Sequence, residues 1–313
     1  MQLNELIKRF REKPYMIDMG KGKLSKWLGA SEEDIKKAKK VVRAELNNFS
    51  SSKIHASARI LLLDIETAPL KAYVWKRWKE NIYEDRMISE WFMLTWSAKW
   101  LFDDKVIGEA ISSEEVLEQD DSRIVKHLWE IMNEADIIIA HNGDRFDIPK
   151  INSRFLMNNL PPTSSYQTID TLKVARKKFG FSSNSLNSLC KQFGFGQKID
   201  TDFELWAKCL EGDDSALNYM LQYNMEDVRL LEDVYLKLRP YIDSHPNVGL
   251  YLETEDPVCA NCGSKELIED GSFYYTPTGK YRTYRCICGA INRRRFTEVP
   301  KNKRDKLLVS TAR

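Results

Sequence analysis

Nowhere do the 313 residues hold a run approaching the roughly 20 consecutive apolar residues that span a bilayer. The opening MQLNELIKRFREKPY has neither the apolar stretch nor the small-residue cleavage site of a secretory leader. A membrane-embedded or exported protein is therefore not expected, and a cytoplasmic one is. Internal repeats and low-complexity tracts are missing too, so a composition of 42% hydrophobic and 30% charged residues reads as globular. Cysteine is scarce: of six, Cys190 and Cys209 stand alone and four crowd into residues 259–288. That clustering argues against a disulfide scaffold and for a metal site in a reducing compartment.

Net charge is nearly absent, at +2, but it is unevenly spread. Residues 1–57 hold 13 Lys/Arg against 7 Asp/Glu and residues 258–313 hold 12 against 5, which leaves −11 for the middle. An acidic centre between basic ends suits a carboxylate metal site flanked by modules that hold a polyanion. Solvated basic ends are the plainer alternative. The length accommodates two or three domains.

The patterning divides the chain at 57/58 and 245/246. Residues 1–57 read as a small helical module, with helices at Asn4–Lys13, Leu24–Leu28 (ended by Gly29) and Ser31–Leu46. Ser31 offers an N-cap, and Ile35, Ala38, Val42 and Leu46 recur at helical spacing. A Gly-containing turn before a helix carrying Lys36, Lys37, Lys39, Lys40 and Arg43 outlines a helix-turn-helix, with a packing bundle as the alternative. Asn47–Ala58 reads as a linker. From Arg59, strands and helices alternate, which predicts an α/β layered domain with a sheet at its centre. Expected strands are ARILLLDIET, WFMLTWSAKWL and Asp136–Ala140. Expected helices lie at 123–133, 148–158, 171–179, 185–193 and 216–238. A linker around His245-Pro246-Asn247 then leads to a strand-like tail.

Asp64 and Glu66 end the first strand, where residues i and i+2 share a face. Two carboxylates so placed repel unless a cation lies between them, and a hard ion such as magnesium or manganese prefers their oxygens. IIIAHNGDRFD brings Asn142, Phe146 and Asp147 to the loop or helix start after another apolar strand. In YNMEDV, Tyr223 and Asp227 are four apart and share a helix face. Asp170, opening DTLK, reads as an N-cap, and Asp144 beside Arg145 as a solvated charge.

DIET, the Asn-x-x-x-Phe-Asp of NGDRFD and the Tyr-x-x-x-Asp of YNMED resemble, in this order, the three exonuclease motifs of the DEDD (DnaQ-like) superfamily. The last pair is similar to its tyrosine branch, as in the proofreading domains of B-family DNA polymerases. The resemblance runs from residue 59 to about 240. It implies an RNase H-like fold with a mixed central sheet flanked by helices, and 3′→5′ hydrolysis of nucleic acid to nucleoside monophosphates on two Mg²⁺ or Mn²⁺ ions. Carried over by position, it makes Asp64, Glu66, Asp147 and Asp227 the metal ligands and Tyr223 the residue that orients water. It has Asn142 and Phe146 position the terminal nucleotides, with Thr67 nearby. A phenol with a pKa near 10 is a poor base at neutral pH, which is why Tyr223 is assigned positioning only.

VCANCGS supplies Cys259 and Cys262, and RCICGA, 23 residues on, supplies Cys286 and Cys288. Two cysteine pairs, each followed by Gly, match one structural Zn²⁺ in a zinc-ribbon-like module, although the second pair has CxC spacing where CxxC is commoner. SFYYTPTGKYRTYR reads as a hairpin across its Pro-Thr-Gly. Lys280, Arg282, Arg285, Arg293, Arg294 and Arg295, with neighbouring aromatics, suit a grip on nucleic acid, and a ribbon that docks on protein is the alternative. DNA is favoured over RNA on the strength of the helix-turn-helix outline. No polymerase domain fits in the remainder, so a free-standing nuclease of bacterial or phage type is expected, with any replication or repair partner unnamed. Two rivals stay open. One is a structure-specific endonuclease with a similar acidic site, which the Tyr-x-x-x-Asp element argues against. The other is a DNA-binding regulator with a vestigial nuclease fold, which the complete acid set argues against.

Overall fold

The computed structural model describes residues 3–12, 21–42, 58–196 and 199–311. They form two compact units: Leu250–Glu255 group with the N-terminal segment, and Asp256–Arg313 with Ala58–Gly249.

The N-terminal unit contains α1 (Leu3–Glu12), α2 (Lys21–Leu28) and α3 (32–42). Leu6, Phe10, Leu24, Ile35, Ala38 and Val42 make its core, so the helical spacing read for α3 is the spacing that is buried. Gly29 (φ +61) ends α2, and Ser31 Oγ accepts the Asp34 amide at the start of α3. Lys36, Lys37 and Lys40 are exposed on α3, while Lys13, Arg43, Leu46 and the expected linker up to Ser57 lie outside the described residues.

In the second unit, β1 (Ile60–Thr67), β4 (Met93–Trp100), β5 (Val106–Ala110), β6 (Ile137–Ala140) and β7 (Gln167–Asp170) build a five-stranded sheet in the order β5-β4-β1-β6-β7. β1 is its centre, antiparallel to β4 and parallel to β6, which explains why Ile60–Leu63 are apolar on both faces. A small hairpin of β2 (Lys71–Ala72) and β3 (Met87–Ser89) leaves the sheet between β1 and β4. The chain is thus α/β, with helices covering a mixed sheet. These are α4 (Ser113–Glu118), α5 (Ser122–Met132), α6 (Asp147–Met157), α7 (Thr171–Lys178), α8 (Leu186–Phe193), α9 (Phe203–Leu210) and the 25-residue α10 (Asp214–Leu238). β5, β7, α4 and α9 have no counterpart among the expected elements; β5 (VIGEA) and β7 (QTID) lack the unbroken apolar run that announces β6.

Two buried ion pairs hold the long elements in register. Lys99 of β4 pairs with Glu232 of α10. Arg154 of α6 pairs with Asp121, whose other oxygen accepts the Met93 amide at 2.8 Å. Breaking either would strand a buried charge, typically at a cost of about 3–5 kcal/mol.

The C-terminal strands β8 (Leu267–Thr276), β9 (Gly279–Cys286) and β10 (Ile291–Arg293) form a separate sheet, followed by the short α11 (Lys301–Arg304). β8 and β9 are the expected hairpin. The expected linker around His245 is instead an ordered junction: Pro246 is buried, and His245 Nε2 lies 2.8 Å from Tyr235 Oη. Asn261 donates to the Arg239 carbonyl at 2.9 Å and Val248 donates to that of Ala260 at 2.7 Å, tying the cysteine module to the end of α10. Among the described residues, no helix is long and apolar enough to cross a membrane.

Candidate active site and cysteine centre

β1 delivers Asp64 and Glu66 on one face, with Ile65 turned into the core between them. α10 brings Asp227 to the same place, and ligand oxygens of Asp64, Glu66 and Asp227 all lie within 4.8 Å of one another. Three carboxylates at that spacing form an oxygen donor set that fits hard divalent cations and that mutual repulsion would otherwise oppose. Asn224, fully buried one turn before Asp227, donates from Nδ2 to Asp64 Oδ2 at 2.6 Å. Tyr223, also buried, packs edge-on against Trp206 of α9 with centroids 6.5 Å apart.

Asp147 stands outside the three-carboxylate cluster but directly behind β1. It begins α6, is 1% exposed, and its Oδ1 accepts the amide of Ile65, the residue between the two strand carboxylates, at 3.2 Å. Burial pushes its carboxyl up to about 7, with Asp170 adding to the rise and the Ile65 amide opposing it. A carboxylate so desolvated fits a site meant to hold positive charge.

The turn before α6 is shaped by its Asn-Gly. Asn142 adopts a left-handed conformation (φ 72), which Asn tolerates better than most residues, and its amide donates to Asp170 Oδ1 at 3.0 Å. At Gly143 a Cβ would fall 2.4 Å from that of Ala140, so no side chain fits. Asp170 is the N-cap of α7, accepting the Leu172 and Lys173 amides. Asp144 is not a solvated charge as expected; it is half-buried and pairs with Lys173 at 2.7 Å, because β7 and α7 bring Lys173 over it.

A groove of about 530 Å³ is lined by Thr67, the chain neighbour of Glu66, and by Leu70, Trp91, Lys150, Phe203 and Trp206. Lys150 Nζ donates to Thr67 Oγ1 at 3.3 Å and sits 3.7 Å from the Trp91 ring centroid and 5.2 Å from that of Phe146. Burial lowers the affinity of this amine for its proton. Asn224, Lys150, Trp91 and Trp206 are not among the residues expected from the sequence. Asn224 could have been found, since it lies three residues before Asp227 on a helix already assigned. The other three meet only through tertiary packing.

In the C-terminal module one sulfur from each of Cys259, Cys262, Cys286 and Cys288 lies within 4.8 Å of the others. The Cys259–Cys288 and Cys262–Cys286 sulfurs are 3.7 and 3.5 Å apart. Four thiolates about 2.3 Å from one tetrahedral ion sit about 3.8 Å from each other, so this set fits a metal. All four cysteines are free of disulfides. Asn292 Nδ2 reaches Cys259 Sγ at 3.3 Å, a contact of the kind that orients metal-binding thiolates.

The basic residues of the module divide by surroundings. Arg282 pairs with Glu269 and Glu298, Arg294 lies 3.8 Å from Glu298, and Arg285 lies 4.0 Å from Asp270. Lys280 covers the Phe273 ring at 3.8 Å. Arg285, Arg293 and Arg295 line a cleft of about 1110 Å³ against Lys237, Pro240 and Tyr241 at the end of α10.

The RNase H superfamily model matches residues 102–239. Two curated relatives are both described as DNA polymerase III PolC-type. The one from Ureaplasma parvum is 42% identical over 57 residues, 18% of this chain and 4% of that protein. The one from Mycoplasma pneumoniae is 31% identical over 96 residues, 30% of this chain and 6% of that protein. The chain thus spans only a small part of the length of these relatives. Among solved structures, the family B DNA polymerase of Pyrobaculum calidifontis aligns at 17% identity with a TM-score of 0.44, covering 59% of this chain and 25% of that one. With its mixed sheet and the superfamily match over residues 102–239, the chain carries an RNase H-like domain, followed by a four-cysteine module.

Proposed function

We propose that this protein is a metal-dependent 3′→5′ exonuclease that hydrolyses phosphodiester bonds, of DNA in preference to RNA, and releases nucleoside monophosphates. The observation that carries the reading is the convergence of Asp64, Glu66 and Asp227 within 4.8 Å, with Asp147 buried against the same strand. Two divalent ions, Mg²⁺ or Mn²⁺, would supply Lewis acidity and charge neutralisation there. Asp64, Glu66, Asp147 and Asp227 hold them, and Asn224 keeps Asp64 in its ligating rotamer. Tyr223 orients the attacking water. Thr67 and Lys150 line the groove in which the terminal nucleotide lies, with Phe146 beside Lys150, and the turn at Asn142 positions Asp147 and Phe146.

Four cysteines leave no open coordination position, so Zn²⁺ in the C-terminal module is structural. The module grips the backbone of the nucleic acid through Arg293 and Arg295 in its cleft, with Lys280, Arg282, Arg285 and Arg294 adding to the local field. The preference for DNA draws on the helical N-terminal unit and on the two relatives described as DNA polymerases.

The test is incubation of the protein, beside Asp64→Ala, with 5′-labelled single-stranded DNA, duplex DNA and RNA in Mg²⁺ or Mn²⁺. A ladder that shortens stepwise from the 3′ end and is missing in the variant supports the proposal. Early internal cuts favour an endonuclease, and intact substrates throughout favour a DNA-binding protein.

A further inference from the structure

Between Thr67, at the end of the catalytic strand, and Trp91, on the wall of the groove, the chain leaves the sheet as an arm. The β2–β3 pairing closes its base, together with the bond from the Tyr73 amide to the Arg86 carbonyl at 3.0 Å. The sequence LKAYVWKRWK, residues 70–79, runs through that base and beyond it. Its apolar side chains face solvent: Trp75 and Trp78 are 83% and 82% exposed, Tyr73 is 73%, and Leu70 and Val74 are about half exposed. Indoles this open are unfavourable in water unless something covers them, and so many exposed large apolar side chains in one short segment mark an interaction surface. Lys71, Lys76, Arg77 and Lys79 are interleaved with the rings, and the ten residues contain no acid.

We infer that residues 70–79 are a single-strand-binding arm, on which unpaired bases of the substrate stack against Trp75 and Trp78 while Lys76, Arg77 and Lys79 contact its phosphates. Aromatic faces alternating with cations are what a single strand requires, since every base offers a π-face and every linkage a negative charge. Position supports the assignment, because both roots of the arm reach the groove: Thr67, Leu70 and Trp91 are among its lining residues. A strand whose end lies in that groove passes the arm as it leaves. Paired bases are stacked on one another and cannot take these faces. The arm therefore selects single-stranded or frayed ends over blunt duplex, a specificity that the metal site alone does not provide. The inference rests on the reading of the carboxylate site as a nuclease acting at strand ends.

The test uses the full chain carrying Asp64→Ala, so that substrate survives, and measures fluorescence anisotropy of a labelled oligothymidylate and of a blunt duplex. Each base–aromatic stack is worth roughly a 5- to 150-fold change in affinity. Trp75→Ala/Trp78→Ala should therefore weaken single-strand binding at least about tenfold and reduce the tryptophan quenching that accompanies it, with little change for the duplex. Trp75→Phe/Trp78→Phe keeps the stacking and should stay within about threefold of the parent. Lys76→Gln/Arg77→Gln/Lys79→Gln should flatten the logarithmic salt dependence by about 2, at roughly 0.7 per phosphate contact. Unchanged single-strand affinity in the Ala pair overturns the inference. An equal loss on blunt duplex overturns the stacking. The nuclease reading is tested separately, by wild-type hydrolysis of the p-nitrophenyl ester of thymidine 5′-monophosphate. No hydrolysis alongside arm-dependent binding would remove the nuclease and leave the arm.

Discussion

Asn224 Nδ2 donates to Asp64 Oδ2 at 2.6 Å, joining the longest helix to the central strand at the point where the carboxylates meet. Asn224 is fully buried, and its bond helps fix which way Asp64 turns. Asn224→Ala is expected to weaken metal activation about 10- to 100-fold, the usual cost of losing a partner that orients a ligand. It should also lower stability by about 1–3 kcal/mol. Metal titration of activity and thermal unfolding check the two effects independently.

Burial raises Asp147 to about 7, against 3.8 for the ordinary side chain. In metal-free protein the unfolded state gives up this proton from about pH 4 upward, while the folded state holds it to about pH 7. Stability should therefore fall across that window and level off above it. Asp147→Asn, which mimics the protonated form, should raise the metal-free melting temperature at pH 8 by several degrees. The same substitution should abolish hydrolysis. Below pH 7 a metal must displace the proton, so the acid limb of activity should move to lower pH as Mn²⁺ concentration rises.

Tyr223→Phe removes a hydroxyl while keeping the packing of the ring on Trp206. A positioning role predicts a loss in kcat of about tenfold, well short of that from Asp147→Ala, with no change in the pH profile. Steady-state assays in which the two variants lose equally would remove the assignment.

The four thiols should bind one equivalent of zinc, measurable by elemental analysis of the purified protein. Cys262→Ser should reduce the metal content and open residues 256–313 to protease, because a module with so small a core depends on its metal to fold. The larger sheet has its own core, so digestion should stop at the junction.

Arg293→Gln and Arg295→Gln are each expected to weaken nucleic-acid binding alike for all sequences and to lower the salt slope by about 0.7 on single strands. Arg282→Gln should do less, since Glu269 and Glu298 already offset its charge. Anisotropy at several salt concentrations separates them.

Local pattern made much of this legible in advance. An unbroken apolar run announces a buried strand, so β1 and β6 could be read, and the strand alternation of Asp64 and Glu66 follows from backbone geometry wherever the strand lies. The Tyr223–Asp227 spacing is likewise a property of any helix. Cysteine pairs of this type and separation have few uses besides metal, and the structure closes them into one cluster.

Other features had no local signature. That Lys150 lies between Thr67, Trp91 and Phe146 depends on α6 crossing the end of β1, a relationship between residues up to 83 positions apart. Asp144 read as solvated until Lys173 folded over it, and the supposed linker at His245 became a joint through Tyr235. The exposure of Trp75 and Trp78 is the clearest case: tryptophan in a sequence suggests a core, and only the packing of everything else shows that the core is complete without them. Periodicity, spacing and side-chain chemistry are carried by neighbours along the chain and survive in one dimension. Burial, pairing and exposure are decided by which distant surfaces come together, and those are properties of the folded molecule.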